Sequence, residues 1–427
     1  MHRRVVITGL GVIAPNGIGK EQFWDACVSG RSGVRRITRF DASSLPVQIA
    51  GEVPNFDPVA LGVTEKESVY LDRATHFSIA SANMALEDAG LLDKLSEEER
   101  ERTGVYMGSA MAGIDELEQA WLKLTDSGNH PPREAKEQAT LIITRMMTHT
   151  YATMVAVHHQ LYGPCVSLAT ACAAGGDAIG EAFRAIQEGY VDRVLAGGAD
   201  SAISAVGINV FAILGALSTR NEEPERASRP YDALRDGFVM AEGAAILLLE
   251  ERELALARNA RIYAEIIGFS SNINAHHMTA PPPDGAPLQR LLQQVLRQAG
   301  VKHEELDYIN SHGSSTPPNE VAETSAYKAL FGERASRIPI SSTKSLIGHA
   351  QGASSAIEAV ATALTLEHQV IHPTINQEQP DPRCDLDYVP NVARHATVNV
   401  ALTHSSGFGG VNGALVLARP EWVDTHM

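Results

Sequence analysis

Cysteine is scarce. Cys27, Cys165, Cys172 and Cys384 are the four in 427 residues. That is too few for a disulfide framework, and no CxxC or close His pair gives metal-ligand spacing. A reducing cytoplasm suits such usage. Basic residues are also short. The 35 Lys and Arg face 51 Asp and Glu, a formal charge of −16, which argues against nucleic acid and anionic membranes as main partners. Long apolar runs are missing too. The least polar stretch, Ala202 to Leu217, is shorter than a membrane span and is broken by Ser204, Gly207, Asn209 and Gly215. It is read as buried structure. The chain begins Met-His-Arg-Arg-Val-Val-Ile-Thr, running straight into a strand, so no signal peptide is expected. Neither low complexity nor a solenoid-period repeat is visible.

What remains is ordinary globular composition, 44% hydrophobic with 35 glycines, in a chain long enough for two cores or two fused domains. Strands alternate with helices, which points to α/β layers. Strands are expected at 4–8, 104–109, 166–169, 193–198, within 237–249, at 262–269 and at 308–310. Helices are expected at 21–29, 73–89, 115–124, 251–259 and 288–299. Residues 40–62 read as irregular surface chain, and the polar, Pro-containing stretch 126–136 as a loop. The halves divide as 1–258 and 259–427. Gly9-Leu-Gly-Val-Ile-Ala14 half-matches a dinucleotide fingerprint. Pro15-Asn16-Gly17 makes a turn where the phosphate-binding helix should start, so that reading is rejected.

Chemistry concentrates around Cys172. Val166 to Ala169 form a short strand. Small residues follow, then a helix with Ile179, Phe183 and Ile186 at helical spacing. Cys172 therefore sits at a strand-to-helix turn, where free N–H groups favour a thiolate. The small neighbours Ala171, Ala173, Ala174, Gly175 and Gly176 leave room for a substrate carbonyl. A lone cysteine is more often an inert core residue, so the other motifs decide. In Asn310-Ser-His-Gly-Ser-Ser-Thr-Pro-Pro-Asn-Glu-Val-Ala-Glu323, His312 lies past a strand end, Asn319 can cap a helix and Glu323 falls in its first turn. In Ile338-Pro-Ile-Ser-Ser-Thr-Lys-Ser-Leu-Ile-Gly-His349, a strand delivers Lys344 on a loop and His349 sits where a helix begins. A helix N-terminus disfavours imidazolium, so His349 is expected neutral and donating. Each histidine alone is more often structural, and Lys344 alone an ordinary solvated lysine.

Taken together, Ala169-Thr-Ala-Cys172, Asn310-Ser-His-Gly-Ser-Ser-Thr-Pro317, Ser342-Thr-Lys-Ser-Leu-Ile-Gly-His349 and Gly407-Phe-Gly-Gly-Val-Asn412 resemble the elongating β-ketoacyl–carrier-protein synthases of the thiolase superfamily, over the whole chain. Initiating synthases use Cys-His-Asn, and degradative thiolases place a second Cys near the C-terminus, where Gly407 to Gly413 has none. The resemblance implies a duplicated five-layered α/β/α/β/α fold, a dimer, and decarboxylative Claisen condensation. It implies that Cys172 takes an acyl group from an acyl carrier protein. His312 and His349 would stabilise the enolate formed from malonyl carrier protein. Lys344 would orient the site, paired with Glu323. The N–H groups of Cys172 and Phe408 would form an oxyanion hole, with Phe408 as gate. Ser314 and Thr316 would bind the pantetheine arm, and Met111 would set acyl-pocket depth. No resident cofactor is implied, since phosphopantetheine arrives on the carrier.

Ser406 stands where fatty-acid enzymes carry a second Phe. Ser-Gly-Phe-Gly-Gly, Asn274-Ala-His-His-Met-Thr279 and Leu122-Lys-Leu-Thr-Asp-Ser-Gly128 are similar to ketosynthase-alpha subunits of type II polyketide synthases. Val411-Asn412 and Thr316-Pro317 are closer to the fatty-acid group. A polyketide or polyene ketosynthase is the preferred expectation, with a fatty-acid elongating enzyme as the alternative. A chain-length factor, which lacks the active cysteine, is disfavoured by Cys172 but stands as a heterodimer partner. Arg73 and Arg220 are candidates for a local basic patch that would receive an acidic carrier.

Overall fold

A computed structural model describes residues 2–111, 113–131 and 142–427. Part of the loop expected at 126–136 lies outside these residues. Helices and strands pack around an 11-stranded sheet. The first half supplies, from the outer edge, Cys165–Leu168, Thr103–Gly108, Arg193–Asp200, Gly243–Glu251 and Val5–Ala14. The second half supplies Ile340–Ser341, Tyr308–Asn310, Val400–Ser406, Val411–Ala418 and Ala264–Ile273. Each set has the same directions. The outer three strands are parallel, and the next two alternate antiparallel. The sets join where Val5–Ile7 pairs antiparallel with Ala264–Ile266. The duplication is thus visible in strand order and direction.

Five layers follow from which helices cover which strands. Arg73–Asp88 covers the outer face of the first strand set, and Ala286–Gln298 that of the second. Between the sets lie Ala174–Gln187 and Ser354–His368, which pack on each other and on strands of both halves. Ser354–His368 is buried from Ser354 to Leu366. A helix buried on every face, its few polar side chains included, belongs in an interior layer. The small residues are what let the layers approach. A Cβ at Gly9 would lie 2.1 Å from the Ala85 carbonyl oxygen, and one at Gly11 1.9 Å from that of Ser81. The half-matched glycine motif serves helix-on-strand packing inside one continuous strand.

Several expectations change. Gly175 and Gly176 do not make room for a substrate. A Cβ at Gly175 would meet the Gly352 carbonyl at 2.8 Å, and the Gly176 N–H donates to Ser355 Oγ at 2.8 Å. They let the two central helices touch. Ala202 to Leu217 is not buried throughout. It forms the helix Ala205–Ile213, with Val206, Val210, Ile213 and Leu214 exposed. Within 40–62, Ile49–Ala50 is a buried strand paired with Arg35–Arg36. Asn319 opens its helix without a capping bond, and Pro318 precedes it. Among the described residues no helix is long and apolar enough to cross a membrane.

Candidate active site

The duplication brings the site together. The edge strand of the first set, Cys165–Leu168, leads into a 3-10 turn at Ala171–Ala173 and the helix Ala174–Gln187. The edge strand of the second set, Ile340–Ser341, leads through Lys344–Ile347 and a 3-10 turn at Gln351–Ala353 into Ser354–His368. Cys172 lies in the turn before one of the two helices that meet at the centre, and His349 just ahead of the matching turn before the other. Ala171 and Gln351 both have positive φ, 50° each, a sparsely populated conformation for residues with a Cβ. His312 follows the neighbouring parallel strand, Tyr308–Asn310.

His349 Nε2 lies 3.1 Å from Cys172 Sγ. Its Nδ1 faces the Gln351 backbone N–H at 3.1 Å and Ser354 Oγ at 2.9 Å. A backbone N–H can only donate, so Nδ1 accepts and the proton sits on Nε2, facing the sulfur. Burial and the nearby Lys344 charge hold this imidazole well below its usual range. His312, edge-on to His349 with ring centroids 5.4 Å apart, is held low by burial, Lys344, His349 and His404. Both rings are thus neutral. The Cys172 thiol is pushed up to about 11 by burial, against the pull of Lys344 and of the Phe408 N–H aimed at it. The helix terminus does not by itself yield a thiolate here. Desolvation of the charge is the larger effect.

Lys344 is fully buried, and its ion pair is with Glu358, not with Glu323. Glu358 also accepts from Ser405 Oγ at 3.0 Å. Glu323 instead accepts from the Tyr231 hydroxyl at 2.6 Å and the Gly313 N–H at 3.1 Å. Burial pushes it up to about 7. It braces the His312 loop without holding the lysine. Sequence reading missed Glu358, although a lone carboxylate in an otherwise uncharged stretch of buried helix was a readable signal. It also missed Asp200, which accepts from Ser109 Oγ and from the N–H groups of Ala110, Met111 and Gly352. This carboxylate pins the turn at Met111 to the turn after His349.

A cavity of about 230 Å³ opens on the sulfur. Cys172, His312, His349, Ser314, Thr316 and Phe408 all line it. The Ser314 and Thr316 hydroxyls are 2.9 Å apart. Phe408 is 36% exposed, and its ring lies 6.0 Å from that of Phe211. Ser406 lines the wall as well. Met111 is one layer behind, in the apolar cluster of Phe238 and Phe211, which do line the cavity. Arg73 is not a free cation. Its guanidinium holds both oxygens of buried Glu242, at 2.9 and 2.7 Å. Arg220 donates to the Leu234 carbonyl at 3.3 Å. Among the described residues no group of His, Cys, Asp and Glu could hold a metal ion.

The duplicated layers and the Cys–His–His centre define a condensing enzyme of the thiolase-like fold. Sequence comparison is more specific. Residues 2–255 match the N-terminal domain of beta-ketoacyl synthase and residues 263–378 its C-terminal domain, and the chain belongs to that family of C–C-bond-forming acyltransferases. It is 45% identical to 3-oxoacyl-[acyl-carrier-protein] synthase 2 of Coxiella burnetii, over 98% of this chain and 99% of that one. It is 43% identical to the actinorhodin polyketide putative beta-ketoacyl synthase 1 of Streptomyces coelicolor, over 99% and 90%. A solved type II polyketide synthase acyl-carrier protein in complex with its ketosynthase contains a chain that superposes with TM-score 0.89 at 37% identity, covering 98% of this chain and all of that one.

Proposed function

We propose that this chain is the ketosynthase of a type II polyketide or polyene system. The carrying observation is the Nε2–H of His349 facing Cys172 at 3.1 Å, with its tautomer set by the Gln351 N–H. In the first stage the Cys172 thiol loses its proton and attacks an acyl thioester on the carrier protein. A bond from Sγ to the acyl carbon forms, the carrier's C–S bond breaks, and the carrier leaves as a thiol. In the second stage malonyl carrier protein enters and its carboxylate departs as carbon dioxide. The electron pair left behind resides on the thioester enolate, where neutral His312 and His349 donate to the developing oxyanion. The carbanion then attacks the acyl-Cys172 carbonyl. Its oxyanion is met by the N–H groups of Cys172 and Phe408, and collapse expels the sulfur and releases a 3-oxoacyl carrier protein. Lys344, fixed by Glu358, supplies positive charge to the centre. Ser314 and Thr316 hold the pantetheine arm, and Phe408 gates entry. No resident metal or cofactor takes part.

The polyketide assignment rests on Ser406, which opens the cavity wall where a second aromatic would close it. Fatty-acid elongation is the second reading, favoured by the likeness to the Coxiella enzyme. The acidic carrier protein is the partner, in the cytoplasm, with Arg220 left as a candidate contact. A second subunit, a copy of this chain or a chain-length factor, is supported by the edge strand Cys165–Leu168, which among the described residues pairs on one side only, and by the apolar residues exposed on the helix Ala205–Ile213. Intact-protein mass spectrometry with acyl and malonyl carrier proteins, with and without the candidate partner, tests this. Repeated extension, or activity only with the partner, is expected. One-step extension of saturated chains by the protein alone would favour fatty-acid synthesis. An acyl adduct persisting in Cys172→Ala would remove the nucleophile assignment.

A further inference from the structure

The loop that presents Ser314 and Thr316 is gripped from behind. Among the described residues their hydroxyls bond only each other, 2.9 Å apart, and both residues line the cavity over Cys172. Ser315, between them, has φ 70° and is fully buried. Its N–H donates to Glu320 Oε1 at 2.6 Å, its Oγ accepts from the Arg229 N–H at 2.9 Å, and its carbonyl accepts from the Gly237 N–H at 3.1 Å. Arg229 and Gly237 lie in the stretch that leads into Gly243–Glu251, a strand of the first set. Chain from one half of the duplication thus holds a loop of the other.

Arg235 is the centre of that grip. Its side chain is 1% exposed. Nε donates to the Thr316 carbonyl at 3.2 Å and Nη2 to the Pro317 carbonyl at 2.9 Å. Nη1 donates to the Asp232 carbonyl and to Asp381 Oδ2, both at 2.8 Å. Glu320 is ion-paired with Nε at 3.1 Å. Two buried carboxylates therefore fix the guanidinium in one orientation, and its flat fork spans two successive carbonyls of the loop. A lysine ammonium, a point charge on a flexible stem, does not reproduce that fork. The same stretch continues through Phe238, which lines the cavity, to Val239, whose carbonyl accepts from the His349 N–H at 2.7 Å. One piece of backbone registers both the paired hydroxyls and the imidazole that faces the sulfur.

We propose that Arg235 is a positioning residue for the pantetheine arm. By fixing the carbonyls of Thr316 and Pro317 it aims the two hydroxyls at the amides of the arm, without touching the thioester. This rests on the ketosynthase reading above, with Ser314 and Thr316 as contacts of the arm.

The test is acylation of Cys172, followed by intact mass, from hexanoyl pantetheine and from the S-ethyl thioester of hexanoic acid, which has no amides. The readout is the ratio of the two second-order rate constants. It is expected to fall about tenfold from wild type to Arg235→Lys, the worth of one or two hydrogen bonds to the arm. With Thr316→Val already in place, the same change is expected to move the ratio by less than about threefold, because one of the hydroxyls it aims is gone. Should the lysine variant not fold, Arg235→Gln with Glu320→Gln removes one charge of each sign and leaves Asp381 its bond to Arg383 at 2.8 Å. A loss shared equally by both thioesters marks a purely structural role and overturns the proposal. An unchanged ratio, or an undiminished fall in the Thr316→Val background, overturns it as well, and the ketosynthase reading survives all three results. Failure of wild type to take an acyl group from either thioester overturns both.

Discussion

Replacing Lys344 by Met tests which carboxylate the lysine serves. Lys344 and Glu358 are both fully buried, and they are ion-paired. Removing one member of such a pair leaves the other charge uncompensated, at a cost of about 3–5 kcal/mol. For 427 residues, at roughly 2.1 cal/mol/K per residue, the unfolding entropy is about 0.9 kcal/mol/K, so about 4 kcal/mol lowers the melting temperature by about 4 °C. Adding Glu358→Gln removes the stranded charge and keeps an acceptor for Ser405. The double variant should recover most of that loss, to within about 2 °C of wild type. Adding Glu323→Gln instead should recover none. Differential scanning calorimetry reads all four proteins. Recovery by the Glu323 change, or no loss in Lys344→Met, would refute the assigned pairing. The chemistry gives a second readout. The lysine charge pulls down the Cys172 thiol and both imidazoles, so its removal lets all three rise. Iodoacetamide alkylation of Cys172 at pH 8, followed by peptide mass spectrometry, should slow about tenfold for each unit the thiol rises.

In wild type, with the thiol at about 11, Cys172 alkylation should climb steadily from pH 7 to pH 10. A plateau near neutrality would show a resting thiolate and contradict the dominance of burial. His349→Ala should still acquire an acyl group but lose decarboxylation of malonyl carrier protein by about 10²–10³-fold, the scale of one lost oxyanion donor. Equal loss of both half-reactions would assign the imidazole elsewhere. Arg73→Ala leaves Glu242 buried with Arg39 as its remaining cation. It should therefore lower the melting temperature with carrier-protein affinity unchanged, which binding titration and calorimetry together check. Gly11→Ala, whose Cβ would sit 1.9 Å from a backbone oxygen, should cost about 1–3 kcal/mol of stability through overpacking.

Nearest-neighbour chemistry in the chain was enough to place Cys172 between a strand and a helix. It also separated Gly9-Leu-Gly11 from a phosphate loop. Both depend on residues within a few positions, where periodicity and turn residues act directly. The neutrality expected for His349 from a helix start comes instead from burial and the Lys344 charge. The Ala202–Leu217 stretch shows the limit. Its composition reads as interior, yet one face of Ala205–Ile213 is exposed, because apolarity states what a surface prefers and not whether this fold covers it. Gly175 and Gly176 show the same limit in reverse. Smallness was evident, but whether the space belongs to a substrate or to a crossing helix depends on Gly352 and Ser355, far along the chain.

The sequence by itself determined the chemical alphabet of the site, namely a thiol, two imidazoles, an ammonium group and small hydroxyls, each at the end of a strand. Tertiary structure alone decided who faces whom. Glu323 and Glu358 lie on opposite sides of Lys344 in sequence, and either could have been its partner. Only the packing of Ser354–His368 between the two strand sets brings Glu358 to the lysine and leaves Glu323 to Tyr231 and Gly313. Folding also decided that Cys172 rests as a thiol, because desolvation is a property of the surrounding layers and not of the residues beside it.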